Sequence, residues 1–127
     1  MKWLKGILIF TVVITVLYFA FVSLIVFEGD IANYQNRIEF DSGVWKNWEE
    51  SEATMFLRWD MRHSLLDKHK LVGMSVSEVF ELLGEPSRRS SSEMSYYLGM
   101  ARSGIETGSL NLTLENGIVT DYRIWQG

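Results

Sequence analysis

An uncharged run of 22 residues, Gly6 to Phe27, is the feature that most constrains this chain. As an α-helix rising about 1.5 Å per residue, the run is roughly 33 Å long, enough to cross the hydrocarbon core of a bilayer. Its β-branched residues do not count against a helix in lipid, where backbone polar groups must be satisfied within the segment. The sequence therefore predicts that residues 6–27 contact the lipid bilayer as a transmembrane helix, with residues 1–27 as a signal-anchor.

A cleaved signal peptide is the alternative interpretation of the same run. Its apolar core usually has about 7–15 residues and ends at a small-x-small cleavage site. The run here is longer, and the pairs Ala20/Val22 and Phe21/Ser23 do not fit such a site. We therefore expect an anchor that is not cleaved.

The charges around the run predict its orientation. Lys2 and Lys5 are the only charged residues before Glu28. Because basic flanks stay in the cytoplasm, we expect the N-terminus inside and residues 28–127 outside. The 12 Lys and Arg less Lys2 and Lys5 leave 10 in that part against 16 Asp and Glu, a net charge of −6. An acidic part of this kind argues against nucleic acid as a partner.

The part beyond the membrane is predicted to contain a linker, two helices and a sheet. Residues 28–44 have no sustained period and are expected to be a juxtamembrane linker. Residues 45–127 are expected to be a small α+β domain. A first helix over about Lys46–Lys70 is indicated by residues that mostly fall at three- and four-residue spacings and so form one stripe. These are Trp45, Trp48, Met55, Phe56, Trp59, His63 and Leu66.

The second helix has clear start and stop signals. Ser75 followed by Glu78 is a capping box, in which each side chain satisfies a free backbone N–H of the other residue. Gly84 can adopt a left-handed cap, and Pro86 prevents the helix from continuing. A short helix of about nine residues is expected between these signals.

Alternation of period two then predicts three antiparallel strands, after a Ser-rich loop at Ser87–Ser92. The alternating positions are Met94, Tyr96, Leu98 and Met100, then Leu110, Leu112 and Leu114, then Ile118, Thr120, Tyr122 and Ile124. Asn116-Gly117 is a hairpin signal. The expected fold class is therefore α+β, with two helices packed on a three-stranded antiparallel sheet.

The Asn116-Gly117 signal is compatible with two registers of the hairpin. A two-residue loop pairs Leu112 with Asp121 and Leu110 with Arg123, which places charges among leucines. A three-residue loop with Gly117 as the bulge residue pairs Leu114 with Ile118 and Leu110 with Tyr122. We prefer the second because it keeps one apolar face.

Residues 71–127 also carry a family resemblance. The motif residues are Leu71, Gly73, Met74, Ser75, Glu78 and Val79, then Leu82-Leu83-Gly84-Glu85-Pro86, then Tyr96-Tyr97-Leu98-Gly99, then Leu110, Leu112, Leu114, Asn116, Gly117 and Val119. This pattern resembles the BamE-like (SmpA/OmlA) domain and related uncharacterised small envelope proteins of bacteria. The resemblance implies a non-enzymatic module, which in the best-known members is an accessory subunit of outer-membrane protein assembly.

The chain departs from that family in how it reaches the membrane. It has no Cys, so it lacks the lipid-modified residue of a lipoprotein and instead has the predicted spanning helix. We therefore expect it in the bacterial cytoplasmic (inner) membrane, with another envelope or membrane protein as partner. No binding residue of the family is carried over to this chain.

Candidate chemistry is limited to one histidine with nearby acids. His63 lies three residues after Asp60 and four before Asp67, but no third metal ligand is apparent. We predict no catalytic, cofactor-binding or metal-binding residue and no cofactor. The alternative is an extracytoplasmic metal or small-molecule sensor, or a weak hydrolase, that uses His63 with Asp60 or Asp67.

The strand pattern points instead to a protein-binding face. Opposite the leucines, the alternation places Tyr97, Val119, Arg123 and Trp125 on one side of the sheet. Aromatic residues and Arg are frequent anchors of interfaces, so Tyr97, Arg123 and Trp125 are the candidate partner-binding residues. The alternative is that this face is covered by the linker or by the start of the first helix, with its Trp residues.

Overall fold

The computed structural model describes all 127 residues and has an α+β architecture. Its helices are α1 (Lys2–Gln35), α2 (Ser42–Lys46), α3 (Leu57–Lys68) and α4 (Val76–Leu83), and its strands are β1 (Arg88–Arg89), β2 (Glu93–Met100), β3 (Thr107–Glu115) and β4 (Ile118–Gln126). The strands form one antiparallel sheet in the order β1-β2-β3-β4. The predicted α+β class with a long N-terminal apolar helix is confirmed.

Helix α1 contains the apolar run and continues to Gln35, so residues 28–35 of the expected linker are helical. The 34 residues of α1 are long and apolar enough to cross a membrane, and none of them is buried against the rest of the chain. A signal sequence passes the same test of length and composition. Because none of its residues is buried, α1 is not part of the protein core.

The rest of the expected linker lies on α3. The backbone N–H of Ile38 donates to the carbonyl oxygen of Asp60 at 3.2 Å, and that of Phe40 donates to Ser64 Oγ at 2.8 Å. Phe40 also contacts the Trp45 ring edge-to-face, with centroids 5.7 Å apart. These contacts fix the segment between α1 and α2 on the domain.

The predicted first helix, Lys46–Lys70, is wrong in its N-terminal half. The chain leaves the short α2 at Asn47 and becomes helical again only at Leu57. In the gap, Thr54 Oγ1 donates to the Glu49 carbonyl at 2.6 Å and accepts from the Ser51 N–H at 3.0 Å. Such side-chain bonds offer the backbone an alternative to the helical ladder. The Trp residues of the expected stripe are therefore divided between separate elements.

Helix α4 confirms a short second helix between Ser75 and Gly84, with eight residues and with one of the two bonds of the expected capping box. Ser75 is its N-cap, and its side chain accepts from the Glu78 N–H at 3.2 Å. At the other end, Gly84 has a φ of 73°, which its lack of a Cβ makes accessible. The buried residues of α4 are Val79 and Leu83, so the helix contributes one apolar face to the core.

The core lies between the helices and one face of the sheet, which we call the inner face. It consists of Trp45, Trp59, Met61, Leu65, Leu71, Val79, Leu83, Met94, Tyr96, Leu98, Ala101, Leu110, Leu112, Leu114 and Val119. The Trp59 ring lies directly over Gly108 of β3, where a Cβ would overlap with it. Gly108 has no side chain, so its position on the inner face leaves room for the Trp59 indole.

The sheet has one more strand than predicted. Arg88 and Arg89 of β1 pair with Ser95 and Met94 of β2, and the Ser90 N–H donates to the Glu93 carbonyl at 2.8 Å. The Ser-rich stretch, predicted to be a loop, therefore forms the turn of a short hairpin. A strand of two residues has no alternation from which it can be predicted.

Neither of the two registers considered for the β3–β4 hairpin is correct. Asn116 (φ 52°) and Gly117 (φ 74°) form a two-residue loop with positive φ at both positions, as in a type I′ turn. A bulge then places Leu112 opposite Tyr122 and Leu110 opposite Ile124. Without the bulge, a two-residue loop would place charged residues opposite the leucines. The bulge shifts the register by one residue, so Tyr122 and Ile124 face the leucines and the apolar face is kept.

The same bulge corrects the predicted position of Val119. Val119 pairs with Leu114 and is only 1% exposed, so it lies on the inner face and not beside Arg123 and Trp125. Because side chains alternate along a strand, the extra residue Thr120 moves Val119 to the opposite side.

Candidate partner-binding surface

The three predicted partner-binding residues lie on the sheet face turned away from the core, which we call the outer face. Tyr97, Ser109 and Trp125 are directly opposite one another on β2, β3 and β4. Arg123 lies in the next row, opposite Asn111. Since neighbouring strands are about 4.8 Å apart, roughly 10 Å separates the backbones at the two aromatic positions. The structure thus brings Tyr97, Arg123 and Trp125 to one surface.

Exposure differs among these residues. Trp125 is 49% exposed and Arg123 is also exposed, whereas Tyr97 is half-buried. The indole of Trp125 lies over Gly127, where a Cβ would overlap with it. An indole with this much accessible surface at the end of the last strand is available to a partner protein.

The floor between the two aromatic residues is made of short polar side chains. Ser109 and Asn111 occupy it on β3, and Ser95 Oγ donates to Asn111 Oδ1 at 2.6 Å. Because that bond uses the Asn111 carbonyl oxygen, its amide N–H₂ group stays free to donate to an acceptor. The floor is therefore shallow and polar, with large side chains only at its margins.

The segment between α2 and α3 covers one margin of the outer face. The Trp48 ring contacts the Tyr97 ring with centroids 5.9 Å apart, and the Tyr97 hydroxyl donates to Glu50 Oε1 at 2.9 Å. Burial and this bond raise the pKa of Tyr97, so the hydroxyl remains protonated and donating. The sequence left open that Trp residues from the start of the first helix cover this face. Trp48 does cover Tyr97, whereas Trp45 is in the core and does not reach the outer face.

Arg58 positions this covering segment. Its guanidinium lies 4.9 Å from the ring centroids of both Trp45 and Trp48, and it donates to the carbonyl oxygens of Trp45 and Tyr97 at 2.9–3.1 Å. Desolvation lowers the pKa of Arg58, and the nearby Tyr96 hydroxyl acts in the opposite direction. Its charge is compensated by carbonyl dipoles and aromatic faces rather than by a carboxylate. No sequence signal identifies this role, because its partners are 13 and 39 residues away.

Of the two acids in the alternative His63 site, Asp60 is bonded to Arg102, whereas Asp67 lies in the same groove as His63. The Asp60 carboxylate is buried and accepts two hydrogen bonds from Arg102, at 2.9 and 2.7 Å. His63 and Asp67 lie in a shallow polar groove with Arg37. Burial lowers the pKa of His63, with Arg62 and Arg37 adding to the shift and Asp67 opposing it. No group of three His, Asp or Glu side chains is placed to hold a metal ion.

The contact between α1 and the domain was not predicted from the sequence. Trp59 Nε1 donates to Asn33 Oδ1 at 2.8 Å, and Gly29 lies against Ser103. These contacts join residues 26 and 74 positions apart, and they involve a segment expected to be a linker. The domain is therefore attached directly to the end of α1.

No protein-family model matches this chain, and no curated protein or solved structure matches it either.

Proposed function

We propose that this chain is a non-enzymatic, single-pass protein of the bacterial cytoplasmic membrane that binds another envelope protein through its outer face. In this proposal, α1 is an uncleaved anchor and residues 36–127 form an accessory binding module outside the cytoplasm. The observation that carries the proposal is the position of Trp125 and Arg123, which are exposed side by side on the outer face.

The orientation is supported by the charges at the two ends of the apolar run. Lys2 and Lys5 precede it, and Glu28 and Asp30 follow it. Basic residues favour the cytoplasmic side, so this asymmetry favours an N-terminus inside and a domain outside.

The binding role is supported by the chemistry of the outer face. Trp125 offers a large apolar surface with an indole N–H, and Arg123 offers a planar donor for a carboxylate. Trp, Tyr and Arg dominate the energetic centres of protein interfaces. We therefore expect a partner segment that places an apolar side chain against Trp125 and an acidic side chain near Arg123.

The resemblance to the BamE-like domain belongs to the same proposal. Its support is the run of motif residues from Leu71 to Pro86. An accessory module attached by a helix instead of a lipid would act at the cytoplasmic membrane, on a partner there or in the adjoining compartment.

Two experiments test the predicted topology. A reporter fused after Gly127 should be active only outside the cytoplasm, and cytoplasmic activity would overturn the orientation. N-terminal sequencing should find Met1, since loss of residues 1–27 would overturn the anchor.

A third experiment, which tests the binding role, is crosslinking followed by affinity purification of the full chain from membranes. Wild type and His63→Ala should retain one discrete partner, whereas Trp125→Ala with Tyr97→Ala should lose it. Ile105→Ala is a matched control, because Ile105 is 93% exposed but lies in the loop between β2 and β3. A partner kept by the aromatic double variant would contradict the assignment of the outer face.

A further inference from the structure

Helix α1 carries an apolar stripe that continues past the predicted membrane span. Its residues are Leu17, Ala20, Leu24, Phe27, Ile31 and Tyr34, which we call the seam. Their spacing alternates between three and four residues, the 3.5-residue repeat of a left-handed coiled coil. Within the membrane nearly every position is apolar, so the repeat stands out from its surroundings only in the last two turns of α1. In those turns Ile31 and Tyr34 are the large apolar residues, and they are 48% and 71% exposed.

The domain occupies the opposite side of the same two turns. Gly29 lies against Ser103, and Asn33 accepts the hydrogen bond from Trp59. At 100° per residue, Gly29 and Asn33 are on average about 150° from Ile31 and Tyr34 around the helix. Because the domain is fixed on the far side of α1, it leaves the seam open to a second helix.

The seam side chains are spaced along α1 so that shallow, open recesses lie between them. A recess along α1 is lined by the seam residues Ala20, Leu24, Phe27, Ile31 and Tyr34 and by the flanking residues Ser23, Asp30 and Gln35. In coiled-coil packing, a side chain of one helix inserts into a hole formed by such residues of the other. Ala20 is small enough to allow close approach within the membrane.

The flanking charges permit a second copy of the same chain. Two copies of a single-pass protein insert in the same direction, so their α1 helices are parallel. In a parallel pair, Asp30 faces Gln35 of the other copy and Glu28 faces Ser23, according to the usual pairing of flanking heptad positions. Neither pairing brings two acids together. A second copy also presents an identical seam with the same spacing, which a two-fold axis makes self-complementary.

We infer that α1 forms a parallel homodimer through the seam from Leu17 to Tyr34. The pairing extends from the membrane into the two turns that support the domain, and it leaves the outer face of each copy accessible. This dimer is independent of the partner that the outer face is proposed to bind.

The absence of Cys makes the test direct, since each introduced thiol is unique. Single-cysteine variants of the full chain, Phe27→Cys, Ile31→Cys and Tyr34→Cys, are oxidised in membranes with copper phenanthroline. Val26→Cys is the matched control, at the same depth as Phe27 and 65% exposed but off the seam. Because a disulfide requires Cα atoms within about 7 Å, seam positions should give at least about fivefold more covalent dimer than Val26→Cys.

The expected product has twice the 14.7 kDa mass of the chain. Adding Ile31→Asp and Tyr34→Asp to Phe27→Cys should reduce its dimer to the level of Val26→Cys. Both side chains are exposed, so we expect the domain to stay folded, which tryptophan fluorescence of the variant checks. Equal yields on and off the seam would overturn the inference. So would maleimide-reactive seam thiols that give no dimer, or a product of any other mass.

Discussion

The guanidinium of Arg102 donates two parallel hydrogen bonds to the Asp60 carboxylate, Nε to Oδ1 at 2.9 Å and Nη2 to Oδ2 at 2.7 Å. The Asp60 side chain is 8% exposed and that of Arg102 is 23% exposed. Arg102 also lies over the Phe56 ring, 4.1 Å from its centroid. This pair attaches the connection between β2 and β3 to α3. The Asp60 carboxylate, which the sequence suggested as a partner of His63, is therefore bonded to Arg102 instead.

Replacing this carboxylate should destabilise the domain. Asp60→Asn leaves the Arg102 guanidinium without its counter-charge, and we expect the free energy of unfolding to fall by about 3 kcal/mol. The measurement is chemical unfolding of the detergent-solubilised full chain, followed by tryptophan fluorescence. Asp67→Asn, on the same helix but exposed, should change it by less than about 0.5 kcal/mol. Equal effects of the two variants would refute a structural role for the pair.

Removing a core side chain from α4 tests the packing of the helices on the sheet. Leu83 is fully buried in the core. Leu83→Ala should lower the free energy of unfolding by about 2–5 kcal/mol, through lost burial and the cavity that remains. Ile105→Ala, at an exposed loop position, serves as the control in the same assay. A loss below about 0.5 kcal/mol for Leu83→Ala would mean that α4 does not pack as described.

The contact between Trp59 and Gly108 predicts a destabilisation that a second change relieves. Gly108→Ala places a methyl group inside the volume of the indole, and we expect a loss of about 1–3 kcal/mol. Combined with Trp59→Leu, the added methyl group should cost much less, so the two changes are not additive. A double-mutant cycle measures this coupling, and additive effects would show that the indole does not lie over Gly108.

Acidification should destabilise the domain in part through His63. Burial lowers the pKa of His63 in the folded state below the ordinary value of 6.5. Below pH 6.5 the unfolded chain therefore binds the proton more readily, and stability falls as the pH decreases toward the folded-state pKa. His63→Gln should show a smaller loss of unfolding free energy between pH 7 and pH 5 than wild type. An equal loss in both proteins would contradict the shift.

Local signals in the sequence predicted the elements that local interactions define. The apolar run, the Ser75 cap with Gly84 and the Asn116-Gly117 turn are each determined by residues close in the chain, and each is present. The extension of α1 to Gln35 was not predicted, because its contacts with the domain come from residues far along the chain.

The residues of the candidate surface were predicted where a local pattern places them and missed where a bulge or a distant contact does. Alternation placed Tyr97, Arg123 and Trp125 correctly on one face. It misplaced Val119, since a bulge in β4 leaves no mark in a pattern of period two. The role of Arg58 depends on carbonyl groups from two other elements, which only the folded chain brings together.

The central claim is that the outer face of the sheet binds another envelope protein. The most direct test places a photo-crosslinking amino acid at Ser109, between Tyr97 and Trp125, in the full chain within living cells. If the outer face binds a partner, we expect one covalent product with a second protein. This product should be absent when the crosslinker is at Ile105 and absent when Trp125→Ala is added. Incorporation at Ser109 without any product, or the same product from both positions, would contradict the central claim.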